Sequence, residues 1–205
     1  MTEETRAARP AAEDFEIIPV DYFSPLAPGR IFSRSAPLEV DIGCGDGAFV
    51  VAQAERFPER NYLGLEKLAG RVWRACKKAS RLSLTNVRFL RIDSSYAIQY
   101  LLPPASAEMV HLLFPDPWPK SKHRRRRMVT PEFLVQVHRL LVPNGRLRIV
   151  TDQQKYFEAI RALIAPEIFI EAVPAPEEEF PITTFEKHFL ADGVAIHRLL
   201  LRKVE

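Results

Sequence analysis

Glycine is scarce in this 205-residue chain, with eight residues in all, and three of the eight fall inside one short stretch, Gly43-Cys44-Gly45-Asp46-Gly47. Cysteine is scarcer still. Cys44 and Cys76 are the two present, without the paired spacing of a zinc site, so neither a disulfide framework nor a cysteine-bound metal organises the fold. No metal site is expected. No run of 18 apolar residues occurs, which argues against a membrane helix. The N-terminus carries acids where a secretory signal would have its basic and apolar regions, so a cytoplasmic protein is expected. Repeats and low-complexity tracts are missing too. Net charge is only +3, which excludes a bulk polycation.

The basic charge that is present is local. Residues 120–127 hold six cations (Lys120, Lys122, Arg124, Arg125, Arg126 and Arg127) and no acid; without those six, the 26 acids outnumber the remaining Lys and Arg. A concentrated patch on a near-neutral chain is the footprint expected of a nucleic-acid binder. Immediately before it, Phe114-Pro115-Asp116-Pro117-Trp118-Pro119 places proline at every second position. Each proline fixes its own φ and turns its predecessor away from the α region, so Asp116 and Trp118 are expected in a stiff, extended loop. Trp118 is open to two readings, stacking on a base or packing beneath the loop. The loop follows Met109 to Phe114, an apolar run that reads as a buried strand.

Taken from the start, residues 1–36 lack periodicity and read as a flexible N-terminal arm with a lead-in loop; residues 37–205 read as one domain. Leu38 to Ile42 is a first strand. It feeds Asp41-Ile42-Gly43-Cys44-Gly45-Asp46-Gly47 and then an apolar helix from Ala48 to Phe57, the opening unit of a doubly wound α/β sheet. An acid just before the glycines would repel a pyrophosphate. It suits a ligand with an amino group and a sulfonium, S-adenosylmethionine, for which Asp41, Gly43, Gly45 and Gly47 are the candidate cradle. Asn61 to Glu66 is a second strand, and Glu66 stands where such sheets place a carboxylate for ribose hydroxyls; a helix-capping role is the alternative. Asn86 to Ile92 is a third strand, followed by Asp93, which reads either as an adenine-side acceptor or as a helix cap. Asp41, Glu66, Asp93 and Asp116 thus fall in register at four successive strand ends, where open α/β sheets bind ligands. Thr130-Pro131-Glu132 opens a helix, Arg146 to Thr151 is a fifth strand ending at Asp152, Ile168 to Val173 a sixth, and Val194 to Leu201 a seventh that runs antiparallel. The helix from Leu68 to Ala79 carries cations around its outer surface, which read as a solvated face.

These features, in order through about residues 38–200, resemble bacterial tRNA (guanine-N7)-methyltransferases. The Pro-Asp-Pro-Trp loop with its lysine, histidine and arginines carries the resemblance most specifically; the glycine loop is shared by many methyltransferases. The resemblance implies a class I S-adenosylmethionine-dependent, Rossmann-like methyltransferase domain over 37–205, with a seven-stranded, mostly parallel sheet. It implies a tRNA substrate, methylated at guanine N7 in the variable loop. It implies Asp41, Glu66, Asp93 and Asp116 around the cofactor. Asp116 is also the catalytic candidate, either orienting guanine and stabilising its developing charge or acting as a general base. It implies Lys120, Arg126, Arg127, Asp152, Thr183, Thr184, Phe185 and Glu186 toward the substrate. The chain departs from the family pattern in having aspartate at Asp41, where glutamate is usual, and in a longer arginine run. No obligatory protein partner is implied, and a monomer or a homodimer is expected. Three rivals fit parts of the pattern. These are a methyltransferase with another acceptor, a nicotinamide-dependent oxidoreductase, and a non-catalytic RNA binder on the same fold.

Overall fold

The computed structural model describes residues 10–174 and 180–205. In chain order the elements are β1 (Glu16–Ile17), α1 (Pro28–Ile31), β2 (Leu38–Ile42), α2 (Ala48–Arg56), β3 (Asn61–Glu66), α3 (Ala69–Arg81), β4 (Val87–Arg91), α4 (Ser94–Tyr96), β5 (Ala107–Leu113), α5 (Pro131–Leu140), β6 (Leu141–Thr151), α6 (Gln154–Arg161), β7 (Phe169–Glu171), α7 (Thr184–Ala191) and β8 (His197–Lys203). A π turn, Ala97–Leu101, continues α4. The strands form one sheet in the order β1-β4-β3-β2-β5-β6-β8-β7. β1, β4, β3, β2, β5 and β6 pair in parallel, and β8 runs antiparallel to β6 and β7. Chain order reverses between β2 and β5, so the loops that leave these two strands diverge and open a crevice at their carboxyl ends.

Alternation along β2 sorts its side chains to the two faces. Leu38, Val40 and Ile42 join Leu63, Leu65, Val110, Leu112, Leu147 and Ile149 in a core that also takes Leu134, Val137 and Leu140 of α5 and Tyr156 and Ile160 of α6. On the other face, Val50, Val51 and Ala54 of α2 pack with Val72, Ala75, Cys76 and Ala79 of α3 over Tyr62, Val87 and Phe89. The α3 residues recur at the one-sided spacing of an amphipathic helix. Thr130 caps α5 as expected, its Oγ1 accepting from Phe133 N at 3.1 Å.

Three sequence expectations need correction. Among the described residues the sheet has eight strands, not seven, because the arm assigned to residues 1–36 contributes β1. A 3-10 turn, Ala12–Phe15, leads into it, Phe15 is 1% exposed, and Glu16 and Ile17 sit opposite Phe89 and Leu90. Burying one phenylalanine contributes about 1.5–3 kcal/mol, enough to hold a two-residue strand that is too short to show a period. β6 begins at Leu141, and Asn144, at φ +61°, absorbs a register shift against β5. The Thr183–Glu186 segment opens a helix, α7, that the sequence pattern did not reveal. The acidic loop expected over Pro174 to Pro181 lies largely outside the described residues. No helix among the described residues is long and apolar enough to cross a membrane.

Candidate active site

A cleft of about 810 Å³ opens where β2, β3, β4 and β5 end. Its walls include Ile42 and Gly43 after β2, Glu66 and Leu68 after β3, Asp93 and Ser94 after β4, and Phe114 to Asp116 after β5; Trp118 and Arg125 to Met128 close one side. Gly43, Glu66, Asp93, Asp116, Arg126 and Arg127, separated by up to 84 positions in the chain, therefore share one cavity.

The glycine turn is built two ways. Gly43 and Gly45 hold φ of +72° and +59°, and a Cβ at either would meet nothing within 4 Å. These two positions offer bare backbone and open space. Gly47 is held by packing instead, since a Cβ there would come 2.5 Å from the Cβ of Ala75 in α3. Its glycine lets α2 and α3 lie close on the same face of the sheet. Cys44 N donates to Leu65 O at 2.9 Å and Gly47 N to Cys44 O at 3.0 Å, which ties the turn to the end of β3.

The acids divide. Glu66 is 5% exposed; its Oε1 accepts from Leu68 N at 2.9 Å, and its Oε2 lies 3.6 Å from Nη1 of Arg71. Asp93 caps α4, Oδ1 accepting from Ser95 N at 3.0 Å and Tyr96 N at 3.3 Å, and it also lines the cleft, so the two readings of this residue coincide. Asp116 is exposed on the loop. Asp41 is the exception to the register. It sits one residue inside β2, opposite Gly64 and His111, and the cleft wall takes Ile42 and Gly43 in its place. The period-two alternation that turns Ile42 to one face turns Asp41 to the other. There it is 3% exposed, and burial pushes its carboxyl up to about 7, with Arg148 opposing the rise and Glu66 adding to it.

Behind Asp41 the same face carries a buried polar layer that the sequence pattern did not reveal. His111 Nε2 lies 2.8 Å from Glu39 Oε2, and Glu39 Oε1 accepts from Arg60 Nη1 at 3.1 Å. Burial lowers the imidazole's pKa against the pull of Glu39, while the His111 contact and Arg60 hold the Glu39 carboxyl below its ordinary value despite its own burial. The guanidinium of Arg148 lies over Phe180 at 4.2 Å and Phe49 at 5.5 Å. The signal was present in Leu-Glu-Val-Asp-Ile, where acids alternate with apolar residues on a strand that is buried throughout.

In the proline loop, Phe114 and Trp118 adopt φ of +52° and +41°, a region L-residues seldom occupy, so the extended backbone expected at Trp118 is not found. Both residues precede a proline, which closes the α region to them, and the chain turns there instead. Phe114 N donates to Val150 O at 2.7 Å and fixes the loop's start. Arg127 Nε donates to Pro117 O at 2.8 Å while its guanidinium lies 4.6 Å over Tyr156. Arg126 lies 5.0 Å over the Trp118 ring, and His123 meets the same ring edge-on at 5.7 Å. Trp118 thus faces the cleft and is gripped by the basic segment, which forms a 3-10 helix over Ser121–Arg126. Among the described residues no acid pairs with Lys120, Lys122, Arg125, Arg126 or Arg127.

The remaining candidates are not in the cleft wall. Lys120 is exposed beyond the loop, and of the turn's glycines Gly43 lines the cleft while Gly45 and Gly47 do not. Asp152 follows β6 and accepts a bond from the Gln153 side chain. Thr183 caps α7, its Oγ1 accepting from Glu186 N at 3.0 Å, and the Thr184 side chain lies outside the described residues. Glu186 is 2% exposed, pairs with Arg198, and lines a separate cavity of about 280 Å³ with Arg148 and Phe180. Phe185 is exposed, with its ring 6.3 Å from Phe114, and Phe189 is 5.4 Å from the same ring. α7 therefore reaches the cleft through Phe114, at the root of the loop.

The family model described as "Putative methyltransferase" matches residues 35–199. Among similar sequences, a tRNA (guanine-N(7)-)-methyltransferase of Halorhodospira halophila is 36% identical over 178 residues, 84% of this chain and 77% of its own length. One of Leifsonia xyli is 35% identical over 186 residues, 87% of this chain and 82% of its own. Among solved structures, the 16S rRNA methyltransferase KamB superposes with a TM-score of 0.63 at 17% identity, covering 89% of this chain and 96% of that one. The aminoglycoside resistance methyltransferase NpmB1 gives 0.57 at 19%, with 82% and 87% covered. At such identity these two speak for the shared Rossmann-like methyltransferase fold. The sequence matches go further, and with the cleft they place the chain in the bacterial tRNA (guanine-N7)-methyltransferase family.

Proposed function

We propose that this protein transfers a methyl group from S-adenosylmethionine to N7 of a guanine in the variable loop of tRNA. The observation that carries the reading is the meeting, in one cleft, of a glycine turn and carboxylates on one side with the Asp116 loop and unpaired arginines on the other.

The residues present fit the cofactor. Gly43 and Gly45 leave bare backbone and room at the turn. Glu66 ends β3 where a ribose diol can donate to it, with Arg71 holding the far oxygen. Asp93 keeps Oδ2 outside its capping bonds. Asp41, buried beneath the turn, favours a cationic ligand nearby, since a positive charge offsets the burial that raises its pKa. When bound, S-adenosylmethionine supplies an electrophilic methyl group on a sulfonium.

Guanine N7 has an in-plane lone pair and no proton, so it needs no base to act as a nucleophile. As the N7–methyl bond forms, positive charge develops on the purine. Asp116 accepts hydrogen bonds from N1–H and the 2-amino group, orients the base and stabilises that charge. Its exposure and loop position leave it free to do so. Trp118, steadied by Arg126, presents a ring for the base, and Arg125 and Lys120 lie outward where phosphates approach. Lys120, Asp152 and Thr183 to Glu186 act toward the substrate from outside the cleft, the last through Phe185 and Phe114.

The test is transfer from labelled S-adenosylmethionine to unmodified tRNA transcripts, with nucleoside mass spectrometry. 7-Methylguanosine mapped to the variable loop is the expected product. Label in another nucleoside would overturn the assignment of the acceptor.

A further inference from the structure

The basic surface does not end at the proline loop. α3 has the sequence Ala-Gly-Arg-Val-Trp-Arg-Ala-Cys-Lys-Lys-Ala-Ser-Arg, five cations in 13 residues and no acid. Lys67, just before it, together with Arg71, Arg74, Lys78 and Arg81, recurs at intervals of three or four, so these side chains form a row along one side of the helix. Lys77 lies beside the row. Lys67, Arg71, Arg74, Lys77 and Arg81 are all exposed. At about 1.5 Å per residue the helix carries the row some 20 Å from its first turn to its last.

Helix stability does not account for this pattern. Like charges three and four positions apart destabilise a helix, and Arg71 stands in the first turn, where the helix dipole disfavours cations. The dipole favours Lys78 and Arg81 in the last turn but leaves Lys67, Arg74 and Lys77 without that support. Neighbouring acids offset little of it. Arg71 meets Glu66 and Lys78 meets Asp46, at 2.6 Å, but among the described residues Lys67, Arg74, Lys77 and Arg81 have no ion-pair partner. The N-terminal 3-10 turn packs against α3, with Glu13 and Glu16 near Cys76 on its buried side, and Glu16 pairs with Arg91 and not with the row. An aromatic completes the surface. Trp73 is 39% exposed, and Lys77 Nζ lies 4.9 Å over its ring.

The row is also placed to continue the cleft. Lys67 and Arg71 line the cavity on the side across from Arg125, Arg126 and Arg127, and Arg74, Lys77 and Arg81 lead away from it. We infer that the exposed row on α3, from Lys67 to Arg81 with Trp73 beside it, is a second RNA-binding surface that takes the phosphate backbone of the tRNA on the far side of the cleft from the proline loop. One-sided cations bind a polyanion without reading sequence, and an exposed tryptophan offers a stacking face to an unpaired base. The inference rests on the reading of the cleft as an RNA methyltransferase site, and adds a binding area to it.

The experiment compares Arg74→Glu/Lys77→Glu with Arg202→Glu/Lys203→Glu, which makes the same change in charge at the opposite end of the sheet. Equilibrium binding of unmodified tRNA is measured against salt, alongside S-adenosylhomocysteine binding. The α3 variant is expected to bind tRNA at least ten-fold more weakly and to flatten the log–log salt slope by roughly 0.7–0.9 for each phosphate left unneutralised, with S-adenosylhomocysteine binding unchanged. The opposite-end variant should keep the wild-type slope. The milder Arg74→Gln/Lys77→Gln gives the same sign if charge reversal disturbs the fold. A wild-type affinity and slope in the glutamine variant, or an equal loss in the opposite-end variant, would overturn the inference. Wild-type protein that binds tRNA with the expected α3 dependence but transfers no methyl group to it would instead sink the proposed reaction and leave the surface standing. Wild-type protein that binds no tRNA at low salt would sink both.

Discussion

On the β3–β4 side of the cleft, carboxylates are fixed by the backbone around them; on the loop side, Asp116 is not. Glu66 is held by the N–H of Leu68 and by Arg71, and Asp93 by the N–H groups of Ser95 and Tyr96. Both sit at ends of paired strands whose register leaves no slack. Asp116 accepts no hydrogen bond among the described residues, and its loop is steadied by prolines, by Arg127 on Pro117 and by Arg126 and His123 on Trp118. Cations differ in the same sense. Arg71 leans on an acid, whereas Arg126 and Arg127 lean on aromatic faces and keep their charge unneutralised. The carboxylates of the first side are pre-set for one small ligand, and the second side is held in shape while its charge remains available to a large one.

The contrast can be broken from either side. The largest effect belongs to Asp116→Ala. Single-turnover methyl transfer should fall about 10²–10³-fold, the range for removing one group that stabilises developing charge, while S-adenosylhomocysteine affinity stays within a few-fold. Unchanged turnover would remove Asp116 from the reaction. Next is Glu66→Ala, which takes away a charged acceptor worth about 1.5–3 kcal/mol. Calorimetry should show cofactor binding weakened by roughly ten-fold or more, with tRNA binding kept. A third variant, Arg126→Ala/Arg127→Ala, should raise the KM for tRNA and flatten the salt slope by roughly 0.7–0.9 per phosphate left unneutralised; a wild-type slope would mean that these guanidinium groups only brace the loop.

The smallest effect concerns pH. The Asp41 carboxyl titrates near 7 in the fold against an ordinary 3.8. A raised folded value means that the fold holds the proton more tightly than the unfolded chain does. This stability is present in full at low pH and is lost as pH rises through about 4 to about 7. Thermal unfolding of Asp41→Asn should therefore vary less across that window than wild type. An identical pH profile would place the Asp41 proton outside the stability balance.

Much of this was legible in the chain. Apolar runs ending in an acid gave β2, β3 and β4, and the proline spacing gave a stiff loop at the end of β5. Three acids met in the cleft as their strand-end positions implied. The parts that were not legible share a cause. β1 is too short for a period, and its anchor, Phe15, gains its meaning from a contact with the sheet that sequence does not display. Asp41 reads as a strand-end acid until alternation is applied one residue more strictly, which sends it beneath the cleft. Glu39 and His111 form their pair across two strands 72 positions apart, and only the register of β2 on β5 brings them together. The α3 cations read as a solvated face, because their continuity with the cleft depends on where Lys67 and Arg71 lie in the fold.

The central claim is that the carboxylates of the β3–β4 side and the arginines of the loop side serve different ligands. Its most direct test is a crossed titration of Glu66→Ala and Arg126→Ala/Arg127→Ala, each against S-adenosylhomocysteine and against unmodified tRNA. A crossover is expected, with the first variant losing affinity for the small ligand alone and the second for tRNA alone. Parallel losses of both ligands in both variants would contradict the claim, and would make the cleft a single coupled site.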